Sequence, residues 1–267
     1  MSDNYKRQFV SFAGKCPYQC NHCYTFCKGY NSYDSGNGIK EIIQRLQNED
    51  FQIAYISGHR ENFVDPDEGI ELCEQIFEKY NSDILITTRS IFSQKQLGKI
   101  NILNKKMKEK NKDLFFCASI PALQSYKKLE PNLIIPSPDQ RIKNLKNIYN
   151  LGIYTVLTLR PLCPSIYIPI KEVTDIIEMC KQHTSVVLSS GIVVDNEILH
   201  KLVGFPKNFN SQAKNLMSCL KNNISMQYVN VDGELEKIKE KCKEYGLPFF
   251  DHSLPAIKYL KKMRNQI

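Results

Sequence analysis

Residues 9–23 read FVSFAGKCPYQCNHC, and this stretch decides how the rest of the chain is interpreted. It begins with a short run of aromatic and β-branched residues, which predicts a buried strand. Three cysteines follow, Cys16, Cys20 and Cys23, with the spacing C-x3-C-x2-C. Thiolates are soft ligands, and such close spacing lets one loop surround one metal centre. The sequence therefore predicts a metal-binding loop directly after the first strand.

The composition indicates a folded protein with reduced thiols. The 267 residues are 42% hydrophobic, which is enough for a sizeable core and excludes global disorder. The sequence has neither a transmembrane-length apolar run nor the pattern of a signal peptide, so we expect a cytoplasmic protein with no membrane partner. Ten cysteines in such a chain favour free thiols over a disulfide framework. The net charge of +8 permits an anionic partner without requiring one.

Short apolar runs alternate with segments of helical period along most of the chain. The runs are FVSF (9–12), QIAYIS (52–57), DILITT (83–88), LFFCASI (114–120), YTVLTLR (154–160) and SVVLSS (185–190). The helical segments include IKEIIQRLQ, EGIELCEQIFEKY, DQRIKNLKNIYNLG and IKEVTDIIEMCKQ, and Gly152 is a plausible cap for the third. Such alternation predicts an α/β fold of parallel βα units, and six units favour a partial (β/α)6 TIM-like barrel.

Beyond residue 204 the alternation weakens. The segment GFPKNFNSQ (204–212) predicts a loop, and we expect it to be followed by a helix, a strand near MQYVNV (226–231) and a helix ending at Tyr245. No linker marks a domain boundary. We therefore expect a barrel core over residues 1–204 and a C-terminal extension, residues 205–267, that packs on the barrel or closes it.

Three kinds of metal centre fit the cysteine loop. A structural zinc site would recruit Cys27 or His22 as a fourth ligand, although such knuckles usually take a second cysteine pair from elsewhere and no second C-x2-C exists. A ferredoxin-type electron carrier would use Cys27 as its fourth thiolate. A [4Fe–4S] cluster held by Cys16, Cys20 and Cys23 would leave one iron open, and catalysis needs an open position.

The C-x3-C-x2-C loop after strand one of a βα barrel resembles the defining loop of the radical S-adenosylmethionine (SAM) superfamily. In that family the open iron binds SAM, and reduction of the cluster yields a 5′-deoxyadenosyl radical that abstracts hydrogen from the substrate. The resemblance implies a [4Fe–4S] cluster, SAM and an electron donor such as flavodoxin or ferredoxin. It also implies that His22 and Tyr24 lie beside the adenine.

The ends of later strands carry the other expected SAM contacts. Ser57 and Gly58, in YISGHREN, stand where the family keeps a glycine-rich contact to the SAM amino group, and Glu61 could supply the acid that this chain lacks there. An ordinary turn is the alternative. Arg89, in TTRS, could pair with the SAM carboxylate or lie on the surface. Ser119, at the end of the fourth strand, stands where the family often keeps a polar contact to SAM.

Several segments resemble the spore photoproduct lyase-like subgroup of the superfamily. They are Glu130–Pro131 with the proline-rich turn after it, Arg141 near the start of a helix, RPLCP after the next strand, and YGLPFFDHSLPAI near the C-terminus. The resemblance implies that Arg141 contacts the SAM carboxylate. Cys163, in RPLCP, is a candidate hydrogen donor to a substrate radical, with a small apolar core residue as the alternative.

These observations lead us to expect a radical SAM enzyme with a lyase- or transferase-like reaction. The subgroup resemblance and the basic charge suggest a nucleic-acid or nucleotide lesion or modification as the substrate. Modification of a peptide or small metabolite is a second interpretation. The third is a non-catalytic nucleic-acid-binding module stabilised by zinc or by a cluster.

Overall fold

The main sheet consists of eight parallel strands. The computed structural model describes residues 5–26, 35–215 and 225–264, so Cys27 lies outside the described residues. The strands of the sheet are β1 (Arg7–Phe12), β2 (Ser35–Gly36), β3 (Ile53–Ile56), β4 (Asp83–Thr88), β5 (Leu114–Ser119), β6 (Tyr154–Leu162), β7 (Val186–Gly191) and β11 (Phe249–Phe250). Their spatial order is β2-β1-β3-β4-β5-β6-β7-β11.

This order confirms the predicted partial barrel. All six predicted strands form, and they are neighbours in chain order with parallel pairing throughout. Parallel neighbours need a crossover between them, and helices supply most of these connections. The short strands β2 and β11, which the sequence patterns did not predict, extend the sheet at its two edges.

The helices include the four that the sequence predicts. Those between the strands and in the C-terminal part are α1 (Ile39–Arg45), α2 (Pro66–Tyr80), α3 (Gln94–Glu109), α4 (Pro138–Tyr149), α5 (Ile170–Cys180), α6 (Asn196–Lys201), α7 (Asp232–Glu244) and α8 (Ser253–Arg264). Ser137 caps α4 reciprocally with Gln140. After α4, Gly152 adopts a φ of 68° and donates its backbone N–H to the Tyr149 carbonyl, which accounts for a glycine there.

Each strand has one face toward the helices and one toward the inside of the barrel. On β4, for example, Ile84 and Ile86 belong to the large outer core with the helices, whereas Leu85 belongs to a separate inner core. Buried strands of parallel sheets carry apolar residues on both faces. The runs of consecutive hydrophobic residues in the sequence follow from this double burial.

The C-terminal helix α8 fills part of the barrel interior. Its residues Ala256, Ile257 and Leu260 are buried among the inward side chains of the strands. Lys261 and Arg264 continue from the same helix and pair with acids at the amino-terminal ends of β4 and β5. The helix therefore closes the interior at the end opposite the cysteine loop.

A second, antiparallel sheet includes residues 211–215, so the helix expected after residue 212 does not begin there, and the rest of its expected span lies outside the described residues. The sheet consists of β8 (Val193–Val194), β9 (Ser211–Asn215) and β10 (Ser225–Val229), in the order β8-β10-β9. Pairing with β10 makes residues 211–215 a strand, and such non-local pairing is invisible to local periodicity. The predicted strand near residues 226–231 and the helix up to Tyr245 are confirmed by β10 and α7.

Within the described ranges, none of the helices combines the length and apolar character that crossing a bilayer needs.

The position of α8 predicts a large stability loss on truncation of its buried side chain. Ile257 is fully buried, so Ile257→Ala should lower the free energy of unfolding by about 2–5 kcal/mol in urea titrations. Ile102→Ala is the matched control, because that side chain is 54% exposed and its loss should cost less than about 0.5 kcal/mol. Equal small losses for both variants would show that α8 does not seal the interior.

Candidate functional site

The three cysteines of the loop share one small apolar cluster at the carboxyl end of β1. Cys20 is 6% exposed and packs with Tyr18 and Ile135, and both Cys16 and Cys23 pack against the same group. The backbone turns tightly between the thiols, because the Cys23 N–H bonds to the Cys20 carbonyl at 3.2 Å. The loop therefore brings the three predicted ligands against one apolar cluster, although the described side chains are not arranged as a metal-binding set.

Contacts with residues 128–132 fix the outer side of the loop. Asn21 donates its backbone N–H to the Leu129 carbonyl at 2.8 Å and its side-chain amide to the Lys128 carbonyl at 3.0 Å. Asn132 donates its side-chain amide to the Pro17 carbonyl at 2.9 Å. The segment around Glu130–Pro131, which the sequence analysis singled out, thus contacts the cysteine loop directly.

The thiols suit an iron–sulfur cluster in their chemistry. Burial raises the pKa of Cys20 to about 12, although the nearby Arg89 guanidinium opposes the rise. Burial likewise raises the pKa of Cys23, and this effect outweighs the hydrogen bonds with Thr25, which lower it. Thiols bind metal after losing their protons, and a neighbouring cation favours that loss. Among the residues that the structure describes, no group of three or more His, Cys, Asp or Glu side chains is arranged to hold a metal ion.

Glu61 connects the cysteine loop to the end of β4. Its carboxylate accepts hydrogen bonds from the Thr88 hydroxyl at 2.7 Å, the Arg89 N–H at 2.9 Å and the Phe63 N–H at 3.1 Å. Its own backbone N–H donates to the Cys16 sulfur at 3.5 Å. The carboxylate is thus buried, with hydrogen bonds from three donors, and it fixes the backbone of Arg89. This arrangement gives no support to a role at the SAM amino group.

Glu130 lies at the centre of a buried network with two arginines. It is completely buried and accepts a hydrogen bond from Arg141 Nη2 at 2.6 Å and another from Arg89 Nε. Burial alone would raise the pKa of Glu130, but Arg141 and Arg89 outweigh it and lower the pKa to about 2. A buried carboxylate that stays ionised holds both guanidinium groups in place.

His22 extends this network toward the cysteines. Its Nδ1 lies 3.3 Å from the Leu129 carbonyl, and its Nε2 lies 3.4 Å from Arg89 Nη2. Burial, followed by the Arg89 charge, lowers the pKa of His22 to about 4, so the ring is neutral near pH 7. A neutral ring that donates from Nδ1 and accepts at Nε2 satisfies both neighbours.

The turn after β3 lies close to the predicted adenine-side residue. Ser57 has a φ of 68° and accepts the Asn62 N–H on its hydroxyl at 2.9 Å. A Cβ on Gly58 would lie 2.5 Å from the Phe9 ring, so the position requires glycine. The Tyr24 hydroxyl donates to the Gly58 carbonyl at 3.4 Å. The structure therefore brings Tyr24 and the Ser57–Gly58 turn together.

Arg141 does not have the surroundings that the sequence analysis expected. It is only 1% exposed, and its guanidinium binds Glu130 and, at 2.6 Å, the Ser119 carbonyl. A ligand does not reach a side chain that is enclosed in this way. Arg141 instead holds the Glu130 carboxylate in place. Ser119 itself ends β5 and is 4% exposed.

Cys163 lies away from the inside of the barrel. It is 1% exposed and belongs to the outer core, and burial raises the pKa of its thiol. Its sulfur contacts the Pro161 carbonyl at 4.0 Å. This placement matches the alternative of an apolar core residue and does not support the role of hydrogen donor.

Sequence reasoning missed the part that Glu130 plays. The sequence analysis named Glu130–Pro131 only as part of the subgroup resemblance and predicted no role for the Glu130 carboxylate. The available signal was a single acid within an apolar turn, eleven residues before an arginine at the start of a helix. Such an acid needs a cationic partner if the turn is buried.

The fold is similar to those of several solved proteins. Streptococcus suis SuiB aligns with a TM-score of 0.56 at 12% identity, over 92% of this chain and 49% of SuiB. SuiB has also been solved with S-adenosylmethionine, with a TM-score of 0.55 at 12% identity over 92% of this chain and 50% of that one. A radical SAM methyltransferase from Sphaerobacter thermophilus aligns with a TM-score of 0.59 at 11% identity, over 94% of this chain and 67% of the methyltransferase.

These similarities establish a shared fold. The chain spans about half the length of SuiB. No protein-family model matches the sequence, and no curated protein matches it.

Removal of the Glu130 charge should destabilise the protein strongly. Glu130→Gln leaves two guanidinium groups without their carboxylate, and we expect a loss of about 3–5 kcal/mol in the free energy of unfolding. The pKa of Glu130 is lower in the folded protein than the usual value of about 4.3, so its stabilising effect is complete above that value and disappears as the pH falls toward about 2.

Urea titrations between pH 7 and pH 2.5 test both statements. The difference between wild type and Glu130→Gln should shrink as the pH falls. Glu236→Gln is the control, since that acid forms an exposed pair with Lys239 and its loss should change stability by less than about 0.5 kcal/mol at any pH. A pH-independent difference for Glu130→Gln would contradict the buried ionised network.

Proposed function

We propose that this protein is a radical SAM enzyme in which Cys16, Cys20 and Cys23 hold a [4Fe–4S] cluster. The observation that carries the proposal is the position of the three thiols. They share one cluster on the loop after β1, at the carboxyl ends of the parallel strands, in a fold shared with a radical SAM methyltransferase. When bound, the cluster supplies the electron that cleaves SAM to a 5′-deoxyadenosyl radical, which takes hydrogen from the substrate.

Arg89 is the residue best placed to bind the SAM carboxylate. Its side chain is 20% exposed, and its charge acts on Cys20 of the loop. Glu130 and His22 engage Nε and Nη2, and the guanidinium has five N–H groups in all. Held from behind by Glu130, Arg89 can present its remaining N–H groups to a carboxylate without reorganising.

Tyr24 and the turn at Ser57–Gly58 form the other side of the proposed SAM site. The contact between the Tyr24 hydroxyl and the Gly58 carbonyl puts an aromatic side chain beside the backbone of this turn. We propose that His22 and Tyr24 border the adenine and that the turn binds the amino group. Helix α8 fills the end of the barrel opposite the cysteine loop and excludes water from that end. Exclusion of water protects reactive intermediates.

The substrate has two candidate classes within this proposal. The resemblance to the spore photoproduct lyase-like subgroup and the net charge of +8 favour a nucleotide or nucleic acid. SuiB has been solved with its precursor peptide SuiA, with a TM-score of 0.57, which makes a peptide the second candidate. The rate of 5′-deoxyadenosine formation with nucleotides, with DNA and with peptides distinguishes them. Reduction by flavodoxin or ferredoxin completes the proposal.

Substitution of single cysteines tests the cluster. After anaerobic reconstitution, wild type should bind about four irons per chain, turn brown and convert SAM to 5′-deoxyadenosine on reduction. Cys16→Ala, Cys20→Ala or Cys23→Ala should each remove the colour, because three ligands leave no substitute. Cys73→Ala is the control, since that cysteine is buried on α2, and it should keep the iron.

Two outcomes would contradict the proposal. A colourless protein that holds one zinc and leaves SAM intact would indicate the non-catalytic module. Loss of the cluster in Cys27→Ala as well would indicate a closed site with four thiolates, which offers no open iron.

Substitution of Arg89 tests the assignment of the carboxylate partner. Arg89→Gln should raise the dissociation constant for SAM about tenfold or more, because a charge-assisted bidentate contact is lost. Equilibrium dialysis with reconstituted protein measures it. Arg45→Gln removes an exposed arginine from α1 and should leave SAM binding unchanged. Unchanged binding in Arg89→Gln would assign the carboxylate to another group.

A further inference from the structure

The inside of the barrel carries two arginines that form no ion pair within the described ranges. The arginine ion pairs of the described chain involve Arg45, Arg89, Arg141 and Arg264. Arg7, on β1, and Arg160, on β6, form none. Burial of a guanidinium is unfavourable unless an anion compensates for the lost hydration. Their presence inside the barrel therefore needs an explanation.

Arg160 faces the interior and is only partly satisfied there. The strand is irregular between Leu159 and Leu162, and Arg160 interacts electrostatically with Cys117 and Tyr55 of the inner core, so it lies on the inner side. Its Nη2 donates to the Asp251 carbonyl, whereas its Nε is buried without a hydrogen-bond partner among the described residues. The guanidinium thus retains donors for a further acceptor.

Tyr55 connects the two arginines. It is 4% exposed, lies on the inner face of β3 and interacts electrostatically with both Arg7 and Arg160. The Arg7 Cζ lies 5.8 Å from the Tyr55 ring centre and 5.1 Å from the Phe9 ring centre. Burial raises the pKa of Tyr55, so its hydroxyl is a neutral donor. Two cations and a phenol together suit an oxyanion.

The strands offer no acid that could neutralise this pair. Asp83 is the only acidic residue in β1 and β3 to β7, and it lies at the closed end of the barrel. There it is paired with Lys261 and hydrogen-bonded by the Tyr5 hydroxyl. The inner surface toward the open end is consequently positive, and a negative group that enters the barrel is attracted to it.

An opening at the edge of the sheet is lined in part by Asp251, which contacts Arg160. A cavity of about 310 Å³ is lined by Leu235, Lys239, Phe249, Phe250 and Asp251. Asp251 is also the residue whose carbonyl accepts from Arg160. The charge of the Asp251 carboxylate acts on Arg160, but that side chain is 70% exposed, beside His252, so solvent screens the interaction.

We propose that Arg160, with Arg7 and Tyr55, forms a subsite for an oxyanion, the carboxylate or phosphate group of the substrate. The assignment of this ligand to the substrate rests on the proposed function. Arg160 and Arg89 occupy different strands, since β5 lies between β6, which carries Arg160, and β4, which ends just before Arg89. A substrate anion held there would lie inside the barrel, between Arg160 on β6 and the side chains of Arg7 on β1 and Tyr55 on β3.

Titration with small anions tests the subsite in the reconstituted protein. Inorganic phosphate and acetate are the probes, at constant ionic strength maintained with chloride, and the measured quantity is the rise in Tm. Phosphate or acetate should stabilise wild type saturably. Arg160→Gln should weaken the apparent affinity about tenfold or more, and Tyr55→Phe should weaken it less because the ring remains. Arg45→Gln removes the same charge from the surface and should behave as wild type.

The outcomes separate this proposal from the proposed function. A rise in Tm that chloride reproduces, or one that Arg160→Gln retains in full, would overturn the subsite. A tenfold increase in the dissociation constant for SAM in Arg160→Gln would assign the arginine to the SAM carboxylate and would overturn it too. Saturable phosphate binding in a protein that forms no 5′-deoxyadenosine would leave the subsite in place and reject the radical chemistry.

Discussion

The buried carboxylate of Glu130 is the interaction on which the arrangement at the mouth of the barrel depends. It joins Arg141 on α4 to Arg89 at the end of β4, and Arg89 in turn lies beside His22 of the cysteine loop. Leu129, the residue before it, accepts the Asn21 N–H of the same loop. A single charge, kept ionised by two cations, therefore sets the relative positions of a helix, a strand end and the candidate metal loop.

The two ends of the barrel use charge in opposite ways. At the closed end, Asp83 and Asp113 are paired with Lys261 and Arg264 of α8, so the charges largely cancel and the helix is held in place. Toward the open end the inner strand positions carry no acid, and Arg160 is left with an unused donor. The first arrangement closes the barrel, and the second provides the arginine of the proposed oxyanion subsite.

The candidate metal loop combines two opposing effects on its thiols. Burial among Tyr18 and Ile135 disfavours the thiolate, whereas the Arg89 charge favours it. Thiols release their protons when they bind metal, so a neighbouring cation favours binding. Because Glu130 holds Arg89 in place, the ion network affects the charge near the Cys20 thiol as well as the geometry of the loop.

The sequence by itself determined the six-stranded parallel core and the place of the cysteine loop, because the period of buried strands and the spacing of ligands are local properties. Only the tertiary structure decided the rest. Residues 211–215 became a strand because β10 lies beside them, and α8 became the seal of the barrel through contacts with strands far away in the chain. The surroundings of Arg141 were decided in the same way, because its guanidinium binds the carboxylate of Glu130, eleven residues earlier in the chain. Burial and pairing between distant residues leave no period in a sequence, so the partner of a charge emerges only from the fold.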